Sequence, residues 1–300
     1  MTLKRFRPLL ASLILVAAIL FLIRYLATHP AYVSQLKHIG FGWMAVILLI
    51  NIAALTALAG VSSVLIQMTG KRLASKENYL LTMYSSIANF VGPLQSGPGV
   101  RAAYLKTKHH VSLRAYFLVT LIYYGIFAVI SAFFLLIGAR PWWQAVLASL
   151  GAAGFSYLVV RWAANKRKKE RALLTLTPRL IGLLALLTLL QVLFISLRYY
   201  VAMYAANDHV SIGQALSYTG AANFSLFVSI TPDGIGIREA FLYFAQGIHH
   251  VSTHTIITAN LIDRASYVVF ILLCLLVGAS MHAYDRFTKN PPADAVTDRS

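Results

Sequence analysis

Long apolar runs recur along this chain, each near the length a helix needs to cross a bilayer, with only short polar loops between them. A span must satisfy its backbone internally, so such a chain folds as membrane-spanning helices. Six segments read as spans, at roughly 8–27, 43–66, 114–138, 142–162, 180–205 and 256–284. The composition agrees: 59% of the residues are hydrophobic and only 12% are charged. The loops leave no room for a soluble catalytic domain. The expected fold class is an all-α integral membrane protein: a single polytopic domain over 1–289, then a disordered cytoplasmic tail over 290–300.

The formal charge is +17, from 26 Lys and Arg against 9 Asp and Glu. In a soluble chain this would point to nucleic acid. Here basic residues are expected to gather in cytoplasmic loops, and no nucleic-acid partner is expected. With the N-terminus in the cytoplasm, Lys71/Arg72/Lys76, Lys106/Lys108/Arg114, the run from Arg161 to Arg179, and Arg286/Lys289 all fall inside. Both termini are then cytoplasmic, in a multi-pass protein of the cell inner (plasma) membrane. Lys4-Arg5-Phe6-Arg7 resembles the start of a signal peptide, but no small-x-small cleavage site follows, so 8–27 reads as a retained helix. The one cysteine, Cys274, lies in an apolar run and has no disulfide partner in the chain.

Two stretches are apolar, then broken, then helical again. One is 78–108, with Asn89, Pro93, Gly97, Pro98, Gly99 and Arg101; the other is 212–249, with Asn223, Pro232, Asp233, Gly234, Gly236, Arg238 and Glu239. Broken backbone at membrane depth survives only where protein or a water-filled cavity surrounds it. Both read as re-entrant helical hairpins, with eight full spans as the alternative.

The two stretches also match each other. Ala88-Asn89-Phe90 recurs as Ala222-Asn223-Phe224, Gly99-Val100-Arg101 as Gly236-Ile237-Arg238, and His109-His110-Val111-Ser112 as His249-His250-Val251-Ser252. The helix from Leu121 to Gly138 then aligns with the one from Leu261 to Gly278. Repeat 1 covers about 43–138 and repeat 2 about 180–284. An odd number of spans separates equivalent elements, which predicts an inverted-topology repeat, as in many secondary transporters.

Ionisable groups inside a membrane are functional candidates by default. Here they are Arg101, Arg198, Asp233, Arg238, Glu239, Asp263 and Arg264. The positive charges outnumber the negative, which calls for an anionic ligand such as a lipid phosphate, a group arginine clamps well. Arg101 and Arg238, with Gly99 and Gly236 at the starts of the returning half-helices and with Asn89 and Asn223, form the expected substrate site. Asp263 and Arg264 are adjacent on a helix and point about 100° apart. Each must find a partner elsewhere; Arg238–Asp263 and Glu239–Arg264 are the expected pairs. With Asp233 and Arg198 they make up a gating or ion-pair group. The four histidines at the hairpin ends read as interfacial caps. No metal site or cofactor is expected, and no Ser-His-Asp set, P-loop or GxGxxG motif is present.

The stretch from Asn223 through Pro232-Asp-Gly-Ile-Gly-Ile-Arg-Glu-Ala240, followed by Asp263-Arg264, resembles the C-terminal signature of the flippase-like family, also called the lysylphosphatidylglycerol synthase transmembrane region. Asn89, Pro93, Gly97-Pro98-Gly99 and Arg101 resemble its first signature. The likeness runs over roughly 10–285. Relatives commonly have Pro-Gly-Gly where this chain has Pro232-Asp233-Gly234. In larger members the region is joined to a soluble aminoacyltransferase domain. That domain has no counterpart here, so lysylphosphatidylglycerol synthesis is not expected. The resemblance implies a lipid flippase or transporter for an anionic phospholipid or a polyprenol-phosphate-linked lipid, and no enzyme. The alternative is a non-transporting scaffold that binds a lipid or a lipid-modifying enzyme.

Overall fold

A computed structural model describes residues 40–92, 96–172, 174–206, 210–228 and 236–289, with Leu20, Arg24, Ala27 and Thr28 besides; the side chains of 168, 170 and 282–289 are outside the description. Of the expected span at 8–27 only Leu20, Arg24 and Ala27 are described, and the tail at 290–300 lies outside the described residues. The rest is helical: α1 (Phe41–Met68), α2 (Ser75–Val91), α3 (Gly97–His109), α4 (Leu113–Ile137), α5 (Trp142–Lys166), α6 (Lys168–Arg171), α7 (Pro178–Ala205), α8 (Ile212–Val228), α9 (Ile237–Phe244), α10 (Gln246–His249) and α11 (Thr253–Lys289). Five are long and apolar enough to cross a bilayer: α1, α4, α5, α7 and the Thr253–Met281 part of α11.

The internal repeat is visible in the element lengths. α1 and α7 have 28 residues each and α2 and α8 have 17 each. Both pairs start and end 137 residues apart (41 to 178, 91 to 228). The two broken stretches become helix–break–helix pairs, α2 packed on α3 and α8 packed on α9. Each ends on the same device. His110 and His250 are C-caps in the left-handed region, at φ 54° and 53°. Ser112 Oγ then accepts from Ala115 N, and Ser252 Oγ from Thr255 N, which starts the next span.

The repeats run in opposite directions. The Trp43 and Tyr204 rings lie 5.5 Å apart, Asn51 meets Arg198, and Gly60 abuts Leu187. As α1 advances α7 retreats, so the two equivalent helices are antiparallel. Each hairpin's first helix packs against the last span of the other repeat: α8 on α4, and α2 on α11. This exchange is the contact pattern expected of an inverted repeat.

Between helices in lipid, close packing depends on small residues. A side chain at Gly220 would put Cβ 2.4 Å from Leu135 N and 2.7 Å from the Ser131 carbonyl. Gly220→Ala is therefore expected to force α8 off α4 and cost about 1–3 kcal/mol. Gly182→Ala, where a Cβ meets nothing within 4 Å, is the control; thermal unfolding of the purified protein compares them.

The open end of the first hairpin is held by polar contacts outside the five spans. Glu77 Oε1 accepts from Tyr104 Oη (2.5 Å) and Lys108 Nζ (2.7 Å), and lies 2.8 Å from His109 Nε2. Burial alone would raise the Glu77 carboxyl, but the hydrogen bonds from Lys108, Tyr104 and His109 outweigh it and hold it down at about 2, against an ordinary 4.5. A carboxyl depressed in the folded state stabilises above its unfolded value and loses that contribution as pH falls through the folded one. The stability gap between wild type and Glu77→Gln is thus expected to be full at neutral pH and to close as pH drops from 4.5 towards 2. Melting curves over that range measure it. The second hairpin is closed differently, by Gln214 Nε2 donating to the His250 carbonyl. His249 Nε2 lies 2.9 Å from the Leu242 carbonyl, and its Nδ1 accepts from Val251 N.

Candidate functional site

The repeat interface holds a cavity of about 210 Å³. Its walls come from α1, α2, α7, α8, α9 and α11. Ala54 and Gln191 lie near the middles of α1 and α7, and Tyr267 near the middle of the apolar part of α11. The cavity is therefore at mid-span depth.

Among the described residues its charged lining is Arg198, Arg238 and Asp263. Asp263 is buried and shared: Arg198 Nε is 2.7 Å from Oδ1, and Arg238 Nη1 is 3.6 Å from Oδ2. Each guanidinium also has a neutral anchor. Arg198 Nη1 donates to Asn51 Oδ1 (2.8 Å), and Arg238 Nη1 to Tyr199 Oη (3.1 Å). The Arg198 guanidinium lies 5.4 Å from the rings of both Tyr199 and Tyr267, a cation–π distance. Among the described residues two cations thus face one carboxylate, all three largely buried. Charges interact strongly in that low dielectric, and the surplus favours an anion.

A second pair lies beside the first. Arg264, almost fully buried, contacts Glu239 Oε1 at 2.5 Å, and Asn260 Nδ2 donates to the same oxygen. Adjacent on α11, Asp263 and Arg264 diverge and both meet α9. Arg238–Asp263 and Glu239–Arg264 are the two pairs expected from sequence.

The hairpin tips differ from expectation. The first N–H groups of the returning helices are already engaged. Gly97 N donates to Asn89 Oδ1 (2.6 Å), and Gly236 N to Glu239 Oε2 (2.8 Å). Asn89 thus fastens α3 to α2 as well as lining the cavity. Gly97 is the glycine the packing requires, since a Cβ there would lie 2.4 Å from the Ser85 carbonyl; around Gly99 the space is open. Gly236 is required for its conformation, with φ at 81°. Asn223, also on the cavity wall, donates to Ser131 Oγ and ties α8 to α4.

Arg101 does not line this cavity. It is 7% exposed, and its Nε is buried with no hydrogen-bond partner. Tyr123 and Tyr124, on α4, stand where the second repeat has Asp263 and Arg264. Tyr123 Oη donates to Gln191 Oε1 (3.1 Å), and Gln191 belongs to the cavity wall. The first repeat therefore keeps the hairpin arginine but has uncharged residues at the positions of the two α11 charges. Asp233 lies outside the described residues. Sequence reasoning missed Asn51, Gln191 and Tyr199. The first two carried a signal, a lone amide inside a long apolar helix; a tyrosine there carries none.

The fold and site define a class: a helical membrane protein of two inverted repeats around a buried, arginine-rich cavity. The family described as Lysylphosphatidylglycerol synthase TM region matches residues 9–274, and this chain belongs to that family. No curated protein matches it.

Proposed function

We propose that this protein moves an anionic, phosphate-bearing lipid between the leaflets of the cell inner membrane, as a transporter and not as an enzyme. The observation that carries the reading is the mid-span cavity at an inverted-repeat interface, whose charged lining among the described residues is Arg198, Arg238 and Asp263. Equivalent elements running in opposite directions give such a cavity an equivalent route to each face. At about 210 Å³ the chamber is smaller than the roughly 300–1,000 Å³ of pockets that enclose whole ligands. It suits a headgroup whose acyl chains stay in the bilayer. A phosphate entering it competes with Asp263 for the two guanidinium groups, and Glu239–Arg264 anchors α9 while Arg238 changes partner. The family's description, the membrane region of a lipid synthase, agrees with a lipid substrate. α2–α3 and α8–α9 act as re-entrant hairpins opening to opposite faces. The basic loop clusters support cytoplasmic termini.

The test is two-sided access. Cysteines at Ser86 on α2 and Ala222 on α8, both on the cavity wall, are introduced into a Cys274→Ser background. A membrane-impermeant thiol reagent is expected to reach the cavity from each face in turn, and a soluble glycerophosphate to slow the labelling. Access from one face only would favour a lipid-binding scaffold instead.

A further inference from the structure

A second cavity, of about 420 Å³, lies between α4, α5 and the linker that follows α6. It shares no lining residue with the central cavity. Leu118, Ile122 and Val160 form its apolar wall, and Arg161, Asn165 and Arg171 its polar one; no Asp or Glu lines it among the described residues. It sits where the chain's densest basic run, Arg161 to Arg179, leaves the end of α5. The surroundings have an interfacial character. The Lys166 ammonium lies 4.2 Å from the Trp162 ring centroid, and the Arg167 guanidinium 4.7 Å from that of Phe117. Cation–aromatic pairs of this kind belong at headgroup depth. Away from the cavity α5 is almost wholly exposed and apolar, with Leu147, Leu150, Phe155 and Leu158 at 58–71%. That surface continues from the polar mouth along the helix for the length of an acyl chain.

We propose that this cavity is a resident site for an anionic phospholipid, separate from the transport site. The phosphate is held by Arg161 and Arg171, with Asn165 donating to the headgroup, while one acyl chain lies along the outer face of α5. Arginine-lined pockets between spans, at the face where basic loops collect, suit anionic headgroups, and the paired guanidinium forks match a phosphate better than ammonium groups would. α5 has no counterpart in either repeat and packs almost only on α4 and α6. A lipid wedged there fixes the connecting span against the first repeat.

Trp162 is a reporter beside the site. A single-tryptophan protein, with Trp43, Trp142 and Trp143 changed to Phe, is placed in nanodiscs containing brominated phosphatidylglycerol or brominated phosphatidylcholine. Phosphatidylglycerol is expected to quench Trp162 at a roughly tenfold lower mole fraction, a preference that weakens as salt is added. In R161Q/R171Q the preference is expected to vanish, while quenching by phosphatidylcholine, which reports the inserted fold, stays the same. Equal quenching by the two lipids in the unmutated pocket overturns the proposal without any need of the variant. Inorganic phosphate separates the two phosphate sources. If it abolishes the preference where chloride of equal ionic strength does not, the pocket takes a free anion and the lipid assignment fails.

Discussion

Asp263→Ala is expected to destabilise the protein by about 3–5 kcal/mol, the largest effect of any single change in the cavity. The carboxylate lies between Arg198 at 2.7 Å and Arg238 at 3.6 Å. Removing it leaves two cations at mid-span depth without their shared counter-ion, and an uncompensated buried charge costs that much. Asp263→Asn keeps the shape but not the charge and is expected to cost nearly as much. The loss is expected to be sub-additive with Arg198→Ala. Once Arg198 is gone, deleting Asp263 removes the counter-ion of one guanidinium and not of two, so the double variant recovers about 1–3 kcal/mol relative to the sum of the two single changes. Thermal unfolding in detergent of the four proteins in that cycle measures the coupling.

Arg238→Ala is expected to behave in the opposite way, with the fold retained and lipid movement reduced at least about tenfold. Asp263 keeps its shorter contact with Arg198 when Arg238 is removed, so this carboxylate is not orphaned. What is lost is a cation presented from α9, the hairpin arm. A charge-assisted hydrogen bond to phosphate contributes about 1.5–3 kcal/mol, a factor of ten or more in rate if it is made during crossing. Arg238→Lys retains the charge without the planar fork and is expected to fall between wild type and Arg238→Ala. Melting temperature and translocation rate, measured on the same preparations, separate the two variants' effects from misfolding.

Much of this architecture was legible in the sequence because bilayer physics is one-dimensional. A run that must stay apolar for about 20 residues announces its own ends. The expected spans at 43–66, 114–138, 142–162 and 180–205 are found as Phe41–Met68, Leu113–Ile137, Trp142–Lys166 and Pro178–Ala205. The repeat was legible because both halves use the same local devices, and those His-His-Val-Ser segments are now seen as matched left-handed caps. The α9–α11 ion pairs could be inferred because two adjacent, oppositely charged residues on one helix cannot serve each other. Arg198 was visible as an intramembrane charge, but its place against Asp263 and Asn51 was not. That contact needs α1, α7 and α11 to be packed together, and no local pattern encodes which faces meet. Arg101 and Arg238 looked equivalent by motif. They differ in setting: Arg238 meets Asp263 from the span beyond its hairpin, and at the matching place in the first repeat the residue is Tyr123. Asn89 looked like a ligand group and is also a cap, since an amide beside a helix start can do either.

The most direct measurement is movement of fluorescent lipids across proteoliposomes containing the purified wild type, with probes that share acyl chains and differ in headgroup: an anionic phospholipid, a polyprenol phosphate and a zwitterionic phospholipid. Lipid transport through an arginine-surplus cavity predicts that at least one phosphate-bearing anionic probe crosses well above the protein-free rate while the zwitterionic probe does not. Correctly folded protein that moves none of the probes would contradict it and leave a membrane-embedded lipid-binding scaffold in its place.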